Sequence, residues 1–181
     1  MTLANDVPLT VAIIAKHLNL PGISIESALS SSDKSLMKTS FVKNNIPTPA
    51  YEICKTKNEF YKNLQKKQFP FILKPVDGRG SRGVLFLDDT IDLDWAWEHA
   101  LKYSEKKILL LEQYVEGDQL SVEGIFYKKK NHIIAFADRN YSNLSKTKPY
   151  IVEDGGVIPS RYEGEILDKI SEIIQNAAQS L

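Results

Sequence analysis

The sequence predicts a mixed α+β protein, because two hydrophobic patterns alternate along the chain. Apolar residues at helical spacing recur near both ends and in three segments between them, and short runs of bulky apolar residues predict strands. Of the 181 residues, 43% are hydrophobic and 25% are charged, which excludes collagen-like, low-complexity and wholly disordered chains. A chain of this length can bury enough apolar surface to fold without disulfides.

Charge, cysteine content and hydropathy exclude several classes of protein. Lysine plus arginine (23) equal aspartate plus glutamate (23), so the formal net charge is zero and no basic field attracts nucleic acid. No apolar run approaches the roughly 20 residues that a bilayer span requires, and the first residues do not form a signal peptide. The single Cys54 excludes an intramolecular disulfide. We expect a cytoplasmic protein without nucleic-acid or membrane partners.

Both chain ends carry helical patterns. Val11, Ile14 and Leu18 predict a short helix that stops at Pro21. The last predicted helix has one apolar face, formed by Ile166, Ile170, Ile173, Ile174, Ala177 and Leu181. No glycine or asparagine ends this helix, so we expect the chain to be a fragment of a longer protein. A C-terminal helix that docks on the core is the alternative, and the pattern supports both equally.

The middle of the chain alternates helices and strands. Ser32 and Asp33 can cap a helix that ends before Pro47, and a second helix follows Asn58. The segment QFPFILKPV predicts a buried strand that ends on Lys74. The segment VLFLDD predicts another strand after a glycine-rich connection.

Three further elements follow this second strand. A helix is predicted over residues 91–103, in which only one of Trp95 and Trp97 can face the core well. The segment ILLLEQYV predicts a third strand, and LSVEGIFY with HIIAFADR predicts a hairpin around a solvated KKKN tip.

The glycine-rich connection is a candidate phosphate site. Its glycines fit the pattern GxGxxG, but a strand and not a helix is predicted to follow, which argues against a dinucleotide-binding helix. A glycine flap between two strands can instead close its backbone amides over phosphates, and Lys74, Arg79 and Arg82 add positive charge. A glycine hairpin with solvated basic residues is the alternative, equally supported by this segment. Protein kinases are excluded because HRD and DFG segments are absent.

The segment ILLLEQYVEG is a candidate adenine hinge. Its strand reaches Glu112, and beyond it the Gln113 carbonyl could accept a hydrogen bond from an adenine amino group while the Val115 amide donates to a ring nitrogen. An edge strand that turns into a loop is the alternative, and this segment alone favours it.

Three ordered segments together resemble the ATP-grasp superfamily. DKSLMKTSFVKNNIPTPAY is similar to the segment that opens the ATP-grasp region in carbamoyl-phosphate synthetase, biotin carboxylase, purine-pathway ligases and L-amino acid ligases. FPFILKPVDGRGSRGV resembles the family's lysine strand and glycine-rich loop, and LLEQYVEGDQLSVEG resembles its adenine hinge and ribose-facing strand. The resemblance implies the ATP-grasp fold, with the lid subdomain and the beginning of the larger catalytic sheet. It implies a division into the end of a preceding domain (1–30), linker helix and lid (31–111), and the truncated start of the second subdomain (112–181).

The resemblance also implies a set of ATP-binding residues. Lys34 and Lys74 would bind phosphates, the glycine loop would form the flap, and the hinge would hold adenine. Gln119 lies where many relatives carry a ribose-binding glutamate, and Glu116 or Glu123 could replace it. The complete implied set is Lys34, Lys74, Gly78, Arg79, Gly80, Ser81, Gly83, Glu112, Gln113, Tyr114, Val115, Gln119 and Glu123.

The implied activity is that of an ATP-dependent carboxylate-amine ligase that works through an acyl phosphate. ATP and a small carboxylate are the implied partners, and a homo-oligomer is left open. The family's Mg²⁺ ligands are expected beyond Leu181, so no metal ligand is assigned and the chain alone is expected to catalyse little. Glu153 resembles a residue near the acceptor side, and Arg139 is expected close to it. A carboxylase similar to biotin carboxylase and a non-catalytic ATP-binding or interaction fragment are the alternatives.

Overall fold

The structure, a computed structural model, describes residues 7–65 and 68–181 and begins with three helices. These are α1 (Pro8–His17), α2 (Ile25–Ser32) and α3 (Lys34–Lys43). Helices α1 and α3 confirm the sequence prediction, and Asp33 caps α3 as expected. The sequence pattern does not predict α2, because its serine-rich segment favours caps and turns over helix interiors. In the structure Ser24 caps α2, and Ala28 is completely buried.

A four-stranded antiparallel sheet forms the first layer of the fold. Its strands are β1 (Tyr51–Cys54), β2 (Phe71–Pro75), β3 (Leu85–Leu87) and β4 (Leu109–Gln113), in the order β1-β4-β2-β3. Every pairing in this sheet is antiparallel. Strands β2, β3 and β4 confirm the predicted strands, although β2 continues one residue past Lys74.

One face of this first sheet forms the hydrophobic core with two helices, α4 (Lys57–Leu64) and α5 (Leu93–Leu101). Phe71 and Leu73 of β2 contribute to this core, while Lys74 lies on the opposite face because side chains alternate along a strand. Trp97 lies in the core and Trp95 is exposed, which confirms that only one of them faces inward. The alternation therefore gives the sheet one apolar face and one face that carries charge.

A second antiparallel sheet follows. Its strands β5 (Gln119–Tyr127), β6 (Lys130–Asn140) and β7 (Gly155–Val157) lie in the order β5-β6-β7. Strands β5 and β6 confirm the predicted hairpin, and Lys128 and Lys129 form its tip with positive φ angles. The short helix α6 (Leu144–Thr147) and strand β7 have no periodic pattern long enough to predict them from the sequence.

The last helix, α7 (Glu165–Ser180), confirms the predicted C-terminal helix. The backbone amide of Asn131 donates to the Gln175 side chain at 2.6 Å, and the Ser40 hydroxyl donates to the Ser180 carbonyl at 2.5 Å. These bonds link α7 to the second sheet and to α3. Ile166 and Ile173 on its apolar face remain exposed.

The segment after α6 connects the two sheets. The Phe86 amide of β3 donates to the Pro149 carbonyl at 2.7 Å, and Leu85 pairs with Tyr150 across an antiparallel bridge. Lys148 lies 4.1 Å from the centre of the Phe86 ring. These contacts fix the outer edge of the first sheet against the second. Within the described residues, no helix is long and apolar enough to cross a membrane.

The position of Phe60 in the core predicts that Phe60→Ala strongly lowers the stability of the fold. Phe60 is completely buried and its ring centre lies 5.4 Å from that of Trp97. We expect this substitution to lower the free energy of unfolding by about 3–5 kcal/mol, because it leaves a cavity. Urea denaturation measures the change, with Phe126→Ala on the second sheet as the matched control, since Phe126 is 42% exposed. Equal decreases in the free energy of unfolding of the two variants would contradict this location of the core.

Candidate functional site

A cleft of about 1240 Å³ lies between the two sheets. The charged face of the first sheet, the glycine-rich loop and the segment after β4 form one side of it. The second sheet and the loops around β7 form the other side. The cleft thus brings together the separate segments that the sequence predicts to bind a nucleotide. The predicted residues that line it are Lys34, Lys74, Gly78, Arg79, Gly80, Ser81, Glu112, Gln113, Tyr114, Val115 and Gln119.

A buried carboxylate shared by two lysines forms the floor of the cleft. Glu112 on β4 is only 6% exposed. Lys74 pairs with its Oε2 atom and Lys38 pairs with its Oε1 atom. Lys74 reaches Glu112 because β2 and β4 are neighbours and both side chains point away from the core. The group therefore connects α3, β2 and β4 at one point.

Lys38 is not among the site residues predicted from the sequence. Its signal was the spacing of four residues from Lys34, which places both lysines on one face of α3. Burial lowers the pKa of Lys38, although its hydrogen bond to Glu112 opposes that shift. Lys38 also donates to the Thr48 hydroxyl at 2.5 Å. The side chain is thus held by two polar partners.

Lys34 lies at the first turn of α3, beside the glycine-rich loop. Its ammonium donates to the Gly78 carbonyl at 2.6 Å, and its backbone amide donates to the Val76 carbonyl at 2.8 Å. Burial lowers the pKa of Lys34, and the positive charge of Lys74 lowers it further. A bound anion would relieve this repulsion between neighbouring cations.

Asp33 holds the start of α3 in place. Its carboxylate accepts hydrogen bonds from the Ser35 and Leu36 amides at 2.8 Å and 3.2 Å. The Lys106 ammonium lies 2.5 Å from the same carboxylate. Burial raises the pKa of Asp33, but the hydrogen bonds from Lys106 and Ser35 outweigh it, so the pKa lies below its ordinary value of 3.8.

The glycine-rich loop connects β2 to β3, which confirms that a strand and not a helix follows it. Gly80 and Gly83 have φ angles of +59° and +72°, in the region that favours glycine. A Cβ atom on Gly83 would lie 2.9 Å from the Tyr103 ring and 3.0 Å from Pro75. Gly83 is buried and does not line the cleft, so it anchors the loop, while Gly80 and Ser81 form its exposed part.

The chain leaves the first sheet directly after Gln113. The Gln113 amide donates to the Ala50 carbonyl at 2.8 Å, and the Tyr114 amide donates to the Pro70 carbonyl at 3.2 Å. The Tyr114 ring packs edge-on against Phe86. Val115 is 64% exposed at the cleft. The predicted hinge is therefore anchored at its start, and its backbone then enters the cleft.

The residues that could contact a ribose differ in position. Glu116 and Gln119 line the cleft. Glu123 is not among the lining residues, and its carboxylate accepts a hydrogen bond from Ser121 at 2.9 Å. Asp118, between Glu116 and Gln119, is paired with Arg161 and accepts from the Tyr162 hydroxyl. The hydrogen bonds from Tyr162 and Arg161 lower the pKa of Asp118.

The second sheet contributes an ion pair at the far side of the cleft. Arg139 on β6 pairs with Glu153, which confirms the expected proximity of these two residues. Arg139 lines the cleft, and its guanidinium lies 5.8 Å from the centre of the Tyr141 ring. Among residues 7–65 and 68–181, no group of three or more histidine, cysteine, aspartate or glutamate side chains could hold a metal ion.

Residues 31–181 match the family described as the ATP-grasp domain. The chain belongs to the ATP-grasp family. The predicted ATP-grasp resemblance is thereby confirmed.

Individual relatives agree with this assignment. A D-alanine–D-alanine ligase of Gloeobacter violaceus is 33% identical over 110 residues, which cover 58% of this chain and 36% of the relative. A solved L-amino acid ligase from Bacillus licheniformis has a TM-score of 0.77 at 21% identity, over 99% of this chain and 41% of that chain. The solved VanG D-Ala:D-Ser ligase from Enterococcus faecalis has a TM-score of 0.82 at 18% identity, over 96% of this chain and 52% of that chain. The two structures show the ATP-grasp fold, and the chain spans 21% to 36% of three curated relatives.

Asp33 predicts a pH dependence of stability in this ATP-grasp chain. Its folded pKa is lowered, so its charge stabilises the fold above the unfolded value of 3.8, and that contribution is lost as the pH falls through the folded pKa. At pH 7 we expect Asp33→Asn to lower the free energy of unfolding by about 1–3 kcal/mol. Asparagine keeps the capping ability, so the substitution tests mainly the charge.

Chemical denaturation between pH 7 and pH 2 measures this effect. The difference in the free energy of unfolding between the original chain and Asp33→Asn should become smaller in acid, where the aspartate is protonated. Asp89→Asn is the matched control, because Asp89 is exposed. A difference that stayed constant with pH would contradict a role for the charge.

Proposed function

We propose that the chain binds ATP in the cleft between its sheets and is the nucleotide-binding portion of an ATP-dependent carboxylate-amine ligase. The observation that carries this proposal is the convergence of Lys34, Lys74 and the glycine-rich loop beside the segment after β4 in one cleft. In a member of the ATP-grasp family, that combination fits a nucleoside triphosphate. The names of the relatives, which are ligases of amino acids, support the reaction class.

The phosphates would lie against the cations and the loop. Lys34 and Lys74 are close enough that the charge of Lys74 lowers the pKa of Lys34, and a phosphate between them would remove that penalty. Arg79 and Arg82 line the cleft from the loop. Gly80 has no Cβ atom and lines the cleft, so the amides of the loop could approach phosphate oxygens closely.

The adenosine would lie along the segment from Gln113 to Gln119. The Gln113 carbonyl and the Val115 amide are our candidates for the adenine edge, in a position where Val115 is exposed to the cleft. Glu116 and Gln119 are our candidates for the ribose hydroxyls, because both line the cleft and Glu123 does not. Gln119 can donate and accept hydrogen bonds, which suits a hydroxyl.

The proposed reaction forms an amide in two steps. A carboxylate oxygen of the substrate attacks the γ-phosphorus of ATP, and ADP leaves. An amine then attacks the carbonyl carbon of the acyl phosphate, phosphate leaves, and the amine loses a proton. The lysines would hold the phosphates in line for the first step. Mg²⁺ would neutralise phosphate charge, and we assign no residue and no step to it.

Further expectations remain proposals. We propose the same three segments, 1–30, 31–111 and 112–181, whose last boundary falls within β4, two residues before that strand ends at Gln113. We propose that a small carboxylate binds near Arg139. A cytoplasmic location and a homo-oligomer stay predictions.

The phosphate site predicts that ATP affinity depends on Lys34 and Lys74. We expect Lys34→Ala and Lys74→Ala each to weaken ATP binding by about 10-fold to 100-fold, because each removes a charged hydrogen bond to phosphate. Isothermal titration calorimetry measures the dissociation constants. Lys43→Ala is the matched control, because Lys43 is an exposed lysine on the same helix. An unchanged ATP affinity in the Lys34→Ala/Lys74→Ala double variant would sink the phosphate site.

The reaction class predicts which substrate stimulates ATP hydrolysis. In the protein as its gene encodes it, we expect ADP release to rise when amino acids are added and not when bicarbonate is added. Bicarbonate-dependent release would instead favour a carboxylase similar to biotin carboxylase. A coupled assay for ADP distinguishes these outcomes, and ATP binding without release under either condition would favour a non-catalytic module.

A further inference from the structure

The two lysines that pair with Glu112 occupy different positions. Lys74 lines both the cleft between the sheets and a smaller cavity next to Met37, whereas Lys38 lines the smaller cavity but not the cleft. The Lys38 side chain is 12% exposed and that of Lys74 is 20% exposed. Lys74 can therefore reach a ligand in the cleft, whereas Lys38 does not line the cleft and pairs with the other carboxylate oxygen.

The two lysines also differ in how firmly they are held. Lys38 pairs with Glu112, donates to the Thr48 hydroxyl at 2.5 Å and lies 6.0 Å from the centre of the Tyr51 ring. Across the described part of the chain, Glu112 is the sole hydrogen-bond and ion-pair partner of the Lys74 ammonium group. Lys74 can thus leave by breaking one interaction, whereas Lys38 would lose several.

Glu112 cannot readily lose both partners. A buried carboxylate without a counter-charge is strongly unfavourable, and Glu112 is almost completely buried. If Lys74 turned from Glu112 to a phosphate and no second lysine were present, phosphate binding would leave the carboxylate unpaired. Lys38 removes this conflict, because its charge remains on Oε1 when Oε2 is released.

We propose that Lys38 is a positioning residue that keeps Glu112 paired, so that Lys74 can exchange between Glu112 and a phosphate of the bound nucleotide. This inference rests on the proposed ATP site and adds a residue that does not itself touch the nucleotide. Lys38 acts through Glu112 and Lys74, and its contribution to binding therefore depends on the phosphates of the ligand and on the charge of Glu112.

The test compares ATP with adenosine in Lys38→Met, which keeps the apolar stem and removes the charge. Lys74 is then the one lysine left on Glu112, and we expect ATP affinity to fall by about tenfold while adenosine affinity changes less than about twofold. Chemical-shift titration of the chain with each ligand measures both affinities. Lys43→Met on the exposed side of α3 is the matched control and should leave both unchanged.

A second variant separates positioning from a merely structural role. Glutamine at position 112 needs no counter-charge, so adding Lys38→Met to Glu112→Gln should change ATP affinity by less than about twofold relative to Glu112→Gln alone. If Lys38→Met fails to fold, the double variant should still fold, because the uncompensated charge is gone. Failure of the double variant to fold would overturn the inference.

The remaining outcomes are distinct. Equal losses of ATP and adenosine affinity in Lys38→Met, or the same ATP loss on the Glu112→Gln background, would overturn the positioning role while leaving the ATP site intact. Unchanged ATP affinity in Lys38→Met would do the same. Absence of ATP and adenosine binding by the unaltered chain would instead overturn the proposed function and, with it, this inference.

Discussion

The buried Glu112 carboxylate, shared between Lys38 and Lys74, is the interaction on which the arrangement of the cleft depends. It joins three elements that are distant in the sequence, α3, β2 and β4, at a single point. Burial makes the pairing of these charges necessary, since the buried carboxylate needs positive charge beside it and each buried lysine needs negative charge. The position of α3 is therefore linked to the charged face of the first sheet, and Lys34 is brought beside the glycine-rich loop by the same helix.

The opposite face of the same sheet supplies the rigidity that this charged group requires. Leu73 and Leu111 point into the core, where α4 and α5 cover them, and their neighbours Lys74 and Glu112 necessarily point away from it. A shift of either strand by one residue would bring the charges into the core and the leucines into the cleft. Core packing and site geometry thus specify the same strand register.

The second sheet closes the cleft through contacts at its two ends. At one end, Asp118 after the hinge is paired with Arg161 and bonded to Tyr162. At the other end, the Pro149 carbonyl accepts from the Phe86 amide of β3. These contacts connect the segment proposed to bind adenosine with the loops around β7. Of these contacts, the Phe86–Pro149 hydrogen bond joins the first sheet to the segment before β7, while apolar packing of the first sheet maintains one wall of the cleft.

Strong local patterns in the sequence predicted helices α1, α3, α4, α5 and α7, strands β2, β3 and β4 of the first sheet, and the β5–β6 hairpin. The sequence also located Lys74, the glycine-rich loop and the hinge, because each follows or precedes an apolar strand in a recognisable order. Helices α2 and α6 and strand β7 were not predicted, since their residues favour turns or are too few to form a period. Only the tertiary structure revealed that Lys38 shares Glu112 with Lys74 and that Glu123 lies away from the cleft lining. The physical reason is that hydrophobic period and capping act over a few neighbouring residues, whereas the pairing of a buried charge depends on which distant elements the fold brings together.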